Sequence, residues 1–282
     1  MSGPGQPSSS GAGANGAGPD EATQMLRLGG MALRNGLLIH GPTSWAVAAR
    51  AADGSIEVAS GPKPRLARGM LAKVPLVRGP LRLLEALAVV PLARLRLESA
   101  RLPFEDPAVL GAFVVATGAT GALRRTKPAS AGRELAVVLV GALPALTALR
   151  SADLAAYHAV EHKAIAGYER GEDPATVPKE HRRCGSNLIA PMLALSLAGQ
   201  VLVERLPRPP GPLVRAAAAT AAAGAAVELF AFAERNPESV VGRAVHGPGY
   251  EIQRLVSTRE PTAAQLEVGA AALDEVLRAE GR

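Results

Sequence analysis

The chain has 282 residues, 48% of them hydrophobic but only 3% aromatic, with a formal net charge of +6 and one cysteine, Cys184. That length and apolar content can bury a sizeable core in one large domain or two small ones, and a lone cysteine excludes an intrachain disulfide framework. The positive charge suits an anionic membrane surface; a nucleic-acid partner is not expected, because the basic residues are scattered and no aromatic stacking platform accompanies them.

Residues 1–24 are rich in Gly, Ser, Pro and Ala and carry little charge, which predicts a disordered tail; no basic stretch leads into an apolar one, so a secretory signal is not expected. Residues 25–80 change character. "MALRNGLLIHG" carries an Asn35-Gly36 turn and "WAVAARAADGSIEVAS" reads as a hairpin about Asp53-Gly54, so a small β-rich segment is expected.

From residue 81 to 282 the chain reads as a helical membrane domain. Leu81 to Leu97 is apolar but interrupted by Arg82, Glu85, Arg94 and Arg96, which suits an interfacial or packed amphipathic helix better than a span. Four later segments, Pro107–Leu123, Glu134–Leu149, Asn187–Val203 and Leu213–Phe232, are long enough to cross a bilayer and rich in small residues that let helices pack in lipid. The fold class expected is therefore mainly α: a small N-terminal β element, then a bundle of about four spans with additional helices outside the lipid. With four spans both ends fall on one side. That side then holds twenty-four of the Lys and Arg residues and the other side seven, which puts the termini and the segment around His158 in the cytoplasm.

The chemistry concentrates in "DLAAYHAVEHKAIAGYERGED". On a helix over 151–170, His158, Glu161 and His162 fall within about 100° of arc, in a stripe that would ordinarily face a core. The order His-x-x-Glu-His is that of the inverzincins: two imidazoles one turn apart can hold Zn²⁺ or another divalent ion, and the glutamate between them can act as general base on water. Histidines satisfied by backbone carbonyls or by nearby carboxylates are the plainer alternative. Further along, "HRRCGSN" offers His181 and Cys184 as ligands that would close a four-coordinate site. Glu228, within the apolar "AAGAAVELFAF", could instead supply a carboxylate ligand, or could pair with an arginine such as Arg215 or Arg235.

The succession "GGMALRNGLLIHGP", "VRGPLRLLEALAV", "YHAVEHKAIAGYERG", "HRRCGSN", a glutamate in the last apolar helix and "PGYEIQRLVSTREPTAAQLEVGAAAL" resembles the YqhQ-like family of bacterial membrane proteins, a domain of unknown function predicted to be metal-dependent. The resemblance runs from Leu28 to Leu277. It implies that His158, Glu161, His162, His181, Cys184, Glu228 and Gln253 belong to a shared signature, and it names no substrate. Arg182 stands where the family tends to have proline, Asn35-Gly36 where it tends to have Glu-Gly, and the spans are unusually alanine-rich.

At the C-terminus, Thr262 as N-cap with Gln265 three residues on opens an amphipathic helix over 262–280, with Leu266, Gly269, Ala270, Leu273 and Leu277 along one face. The preceding "HGPGYEIQRLVSTREP" reads as a Gly-Pro loop, with Gln253 and Arg254 in a connecting role rather than in the metal pocket. Two functions of different class follow. One is a zinc-dependent hydrolase of the inner membrane, multi-pass, in which Glu161 activates water at a cytoplasmic His158/His162 site; the other is a non-enzymatic membrane scaffold or assembly factor whose zinc is structural.

Overall fold

A computed structural model describes residues 25–66, 69–70, 73–74, 76–126, 130–206 and 211–282; the tail expected to be disordered lies outside them. The chain is mainly helical, with one small antiparallel sheet near its N-terminus, the fold class expected. Strands β1 (Gly29–Ala32), β2 (Gly36–His40), β3 (Ser44–Arg50) and β4 (Ile56–Pro62) form an antiparallel meander in sequence order.

Strands β2 and β3 read as continuous apolar runs because both of their faces are covered. Leu37, Ile39, Ala46 and Ala48 point to one core, and Leu38, Trp45, Val47 and Ala49 to another. The Asp53-Gly54 hairpin forms as expected, with Gly54 at φ +89°. The first turn differs from expectation. It occupies residues 33–35, and Gly36 already belongs to β2, where a Cβ would strike the Ala48 carbonyl. Asn35 ties the turn down through its side-chain amide: Nδ2 donates to the Arg50 and Ser99 carbonyls (2.8 Å each) and Oδ1 accepts from Arg101 N–H (2.9 Å).

Helix α1 (Arg78–Arg96) lays Val89, Val90 and Ala93 on the second core and leaves the apolar Leu83, Leu84, Leu87 and Leu95 exposed, so it is packed on one side and apolar on the other. Among the described residues, three helical stretches are long and apolar enough to cross a membrane: α2 (Pro107–Arg125), the segment Gly185–Val203 containing most of α6 (Ile189–Glu204), and Leu213–Arg235 of α7 (Pro212–Arg235). A fourth arises if α3 (Ala131–Gly141) and α4 (Leu143–Ala148) are counted with α5 (Ala152–Arg170), from which they are bent by 89°. Helix α2 packs on α3 and α4, α6 packs on α7, and α3 meets α6. The exposed Leu110, Phe113, Val114 and Val115 of α2 and Leu213 of α7 are what lipid-facing positions require.

Helix α5 is the hub. Ser151 caps its start by accepting from Leu154 N–H, and Gly171 in the left-handed region (φ +66°) ends it. Between them nearly every side chain from Leu154 to Gly167 is buried, so the helix shows little amphipathicity for a physical reason: it is covered all round. The sheet and α9 (Ala263–Ala279) share the first core with it. Thr262 and Gln265 form the expected capping box, but the buried face centres on Val268, Gly269, Ala272 and Val276, with Ala270 exposed. Gly269 sets that rotation, because a Cβ there would strike Val160 of α5. The expected Gly-Pro loop is instead helix α8 (Val240–Ile252), capped by Ser239 and continued by a π-type turn, Gln253–Ser257. The helix tolerates Pro248, and Gly249 lets its backbone meet Asn187.

Candidate metal centre

The face of α5 that carries His158 and His162 meets Cys184, which caps the short 3₁₀ turn leading into α6. One ligand atom from each of these three residues lies within 4.8 Å of the others. The ring centroids of His158 and His162 are 4.4 Å apart, and His158 Nε2 is 3.3 Å from Cys184 Sγ.

Both imidazoles are oriented from behind by backbone carbonyls. His158 Nδ1 donates to the Ser257 carbonyl (2.8 Å) and His162 Nδ1 to the Lys179 carbonyl (2.6 Å). A carbonyl only accepts, so each Nδ1 carries a hydrogen, and in the neutral ring each Nε2 has its lone pair for the cluster. The carbonyls are themselves held. Lys163 Nζ donates to the Val177 carbonyl (2.8 Å) and pairs with Glu260 (2.7 Å), while Lys179 Nζ donates to the Arg254 carbonyl and to Thr258 Oγ1 (3.1 Å each).

His162 is 1% exposed, and its Nε2 has no hydrogen-bond partner among the described residues. An orphaned buried nitrogen is costly, and a divalent ion accepted by that lone pair would satisfy it. The electrostatics fit the same reading. Burial holds His162 well below the usual histidine value and pushes the Cys184 thiol up to about 11, so without a cation these two groups favour their neutral forms. Neutral imidazoles are ready ligands, and a bound cation would bring the thiol down to thiolate.

Glu161 lies beside the triad, 8% exposed, with Oε2 3.9 Å from His162 Nε2. Burial raises its pKa, opposed by the nearby charge of Arg183. Its space is provided by Gly30: a Cβ there would lie 2.7 Å from Glu161 Cγ and 2.7 Å from the Leu38 carbonyl oxygen. The paired glycines of β1 are the sequence signal for that close approach.

Two expected ligands fall outside the triad. The His181 ring stands 5.7 Å from that of His162 and turns to Glu169 (Nε2 to Oε2 3.5 Å), which also pairs with Arg183. Glu228 is not brought to the cluster at all. Its carboxylate takes a two-pronged contact from Arg78, Nε at 2.8 Å and Nη2 at 2.6 Å, so it pairs with an arginine as the plainer expectation had it, though Arg78 is not one the sequence suggests. Arg78 is the first residue of α1, 150 positions away, and nothing local in the sequence points to it. Gln253, 0% exposed, is a clamp: Oε1 accepts from His181 N–H (2.7 Å) and Nε2 donates to Ser186 Oγ (2.9 Å), fixing the loop on which His181 and Cys184 ride. Arg254 pairs with Glu251 outside the cluster.

These features define a class: a multi-helix protein with helices apolar enough for a bilayer and a buried His–His–Cys cluster where the segment Gly185–Val203 begins. Residues 133–279 match the family model described as "Protein of unknown function (DUF1385)", and the chain belongs to that family, in keeping with the YqhQ-like resemblance of its motifs. The match runs from α3 through α9 and includes every candidate ligand, while the sheet, α1 and α2 precede it. No curated protein and no solved structure matches the chain.

Proposed function

We propose that the protein is a membrane-embedded, zinc-dependent hydrolase. The observation that carries this reading is the convergence of three ligand atoms, His158 Nε2, His162 Nε2 and Cys184 Sγ, with the Glu161 carboxylate beside them rather than among them. Three protein ligands leave a coordination position open, the arrangement of catalytic rather than structural zinc. Zinc held there would supply Lewis acidity, making water acidic enough to lose a proton near neutral pH. Glu161 then takes that proton on its carboxylate and can return it to a leaving group; its burial raises its proton affinity toward that task. Ser257, Lys179 and Gln253 hold the imidazoles and the Cys184 loop in place.

The sidedness of the site belongs to the same proposal. With α3 and α4 taken together as the fourth crossing, twenty-four Lys and Arg residues fall on one side and seven on the other, which supports a cytoplasmic metal centre in a bacterial inner membrane. A cysteine placed by Ala175→Cys should resist an impermeant thiol reagent in intact cells; prompt labelling would reverse the topology.

A structural zinc in a scaffold is the second reading, favoured by the burial of His162 and Cys184 and by the way an ion would staple α5 to the start of α6. Glu161→Gln separates the two. In the hydrolase it keeps zinc and melting temperature while abolishing complementation of a deletion strain. In the scaffold, where Glu161 only supports an imidazole, zinc affinity falls about 10 to 100-fold and stability falls with it. Normal complementation with full zinc would defeat the general-base role.

A further inference from the structure

A cleft of about 780 Å³ opens beside the metal cluster, and His181, whose ring neighbours that of His162, forms part of its wall. The cleft lies between the end of α5, the loop before Cys184, the last turn of α7 and the inner edge of α8. Its position relative to a bilayer follows from the helices. The apolar segment Gly185–Val203 starts, and Leu213–Arg235 finishes, at its border, so it opens at the level where both spans leave the lipid.

Most charges in its wall are already committed. Arg183 pairs with Glu169, Glu251 with Arg254, and Glu180 lies 3.5 Å from Lys179. Arg170, Arg182 and Arg243 are different. All three line the cleft, and none forms an ion pair with another described residue; Arg243 donates only to the Glu238 backbone carbonyl. Against these three guanidiniums stand two carboxylates without a lysine or arginine partner among the described residues, Glu238 and Glu234, the latter only 3.6 Å from the His246 ring. Forked guanidinium donors lining one opening match the several oxygens of a phosphate group better than any neutral head group.

Helix α8 supplies the second half of the argument. Arg243, His246 and Tyr250 turn one edge of it to the cleft, while Val240 and Val241 at its start and Leu255 and Val256 just beyond its end are exposed apolar residues. A helix with a polar edge on a cleft and an apolar stripe beside it, directly after a span, belongs at the lipid–water boundary. A ligand entering there can keep its acyl chains in the bilayer while its phosphate reaches the arginines.

We infer that this cleft binds the phosphate of a lipid head group, gripped by Arg170, Arg182 and Arg243, and delivers it past His181 toward the metal cluster. The assignment of this ligand as substrate rests on the hydrolase reading above; the binding itself does not.

The test uses full-length protein in detergent, with zinc content measured on each sample. Calorimetric titrations compare dihexanoyl phosphatidate below its micelle concentration, inorganic phosphate, and dihexanoylglycerol, which has the same chains without the phosphate. Phosphatidate should bind, dihexanoylglycerol should not, and inorganic phosphate should bind at least about tenfold more weakly than the lipid. The triple variant Arg170→Gln/Arg182→Gln/Arg243→Gln should weaken phosphatidate binding by about tenfold or more at unchanged melting temperature and zinc content. Should that variant not fold, Arg182→Gln alone should weaken it about threefold, since one of three donors is lost. Equal affinity in the arginine variants, or equal affinity for phosphatidate and dihexanoylglycerol, overturns the inference. Inorganic phosphate binding as tightly as phosphatidate overturns the lipid assignment. Zinc-free protein that still binds phosphatidate through the arginines defeats the metal reading and leaves the cleft standing, whereas zinc-loaded protein that does not bind it defeats the cleft alone.

Discussion

Glu161 on α5 and Glu228 on α7 pose the same question in the sequence, a carboxylate in an apolar stretch of helix, and the fold answers it in opposite ways. Glu228 meets a guanidinium at two points, Nε at 2.8 Å and Nη2 at 2.6 Å of Arg78, and both its oxygens are engaged. Glu161 meets no guanidinium at bonding distance among the described residues; the nearest titratable nitrogen is His162 Nε2 at 3.9 Å. A two-pronged arginine holds a carboxylate ionised and acceptor-only, whereas burial beside imidazoles leaves it free to exchange a proton. The contrast teaches that an acid on an apolar helix marks a costly place without saying what it is for; the partner decides, and the partner comes from elsewhere in the chain.

The largest expected effect removes the environment that makes Glu161 distinct. His158→Ala and His162→Ala should each lose stoichiometric zinc and lower the melting temperature markedly, because ligand loss deletes binding free energy that is coupled to folding. Elemental analysis beside a thermal melt reads both quantities, and full zinc in the double variant would place the site elsewhere.

Next comes the other glutamate. Arg78→Leu leaves Glu228 uncompensated in an apolar helix and should lower the melting temperature by several degrees, while Arg78→Leu/Glu228→Leu should recover most of the loss. Zinc content should not move in either variant, since the pair lies away from the cluster. A double variant no better than the single would show that the pairing is not what makes Glu228 tolerable.

A smaller effect is expected from Gly30→Ala. The new Cβ meets both Glu161 Cγ, which can move, and the Leu38 carbonyl, which is held in the sheet, so the carboxylate must shift and the strand backbone must give as well. Zinc affinity or activity should fall about tenfold, together with a clear fall in melting temperature from the strained strand. Unchanged function would mean that Glu161 has room to spare and that Gly30 serves the strand alone.

How far the sequence can be read depends on how local each cue is. The Asp53-Gly54 hairpin, the Thr262 capping box and three of the four apolar segments are written within a few residues or one helix length, so the order of residues alone makes them legible; the segment Glu134–Leu149 is instead broken into α3 and α4. His158 and His162 lie one turn apart, so their shared face follows from helical geometry, and Cys184 stands close enough in sequence to be proposed beside them. What is not legible depends on long-range contact. Arg78 reaches Glu228 across 150 positions, and His181 turns away because Glu169 and Gln253 hold it. The α8 segment misleads for a different reason: Gly247, Pro248 and Gly249 suggest a loop, but Gly249 permits close contact with Asn187, and tertiary packing outweighs the local preference.

A third glutamate extends the comparison outside the spans and gives the smallest effect. Glu275 on α9 accepts from Arg278 Nε at 2.8 Å and Nη2 at 2.5 Å, and also from Ser60 Oγ of β4, and these donors hold its pKa down to about 2 from an ordinary value of 4.5. Because the folded value is the lower one, the contribution to stability is fully present above about pH 4.5 and is lost as pH falls from there toward 2. Ser60→Ala removes one donor and brings the folded pKa closer to the unfolded one. Melting temperatures of the wild type and Ser60→Ala should therefore differ slightly above pH 4.5 and converge on acidification. Curves that stay parallel through that window would mean the Ser60 contact has no part in the titration. Convergence would give the stabilisation that one hydrogen-bond donor lends a carboxylate in water, against which the loss in Arg78→Leu measures what the same chemistry is worth beside lipid.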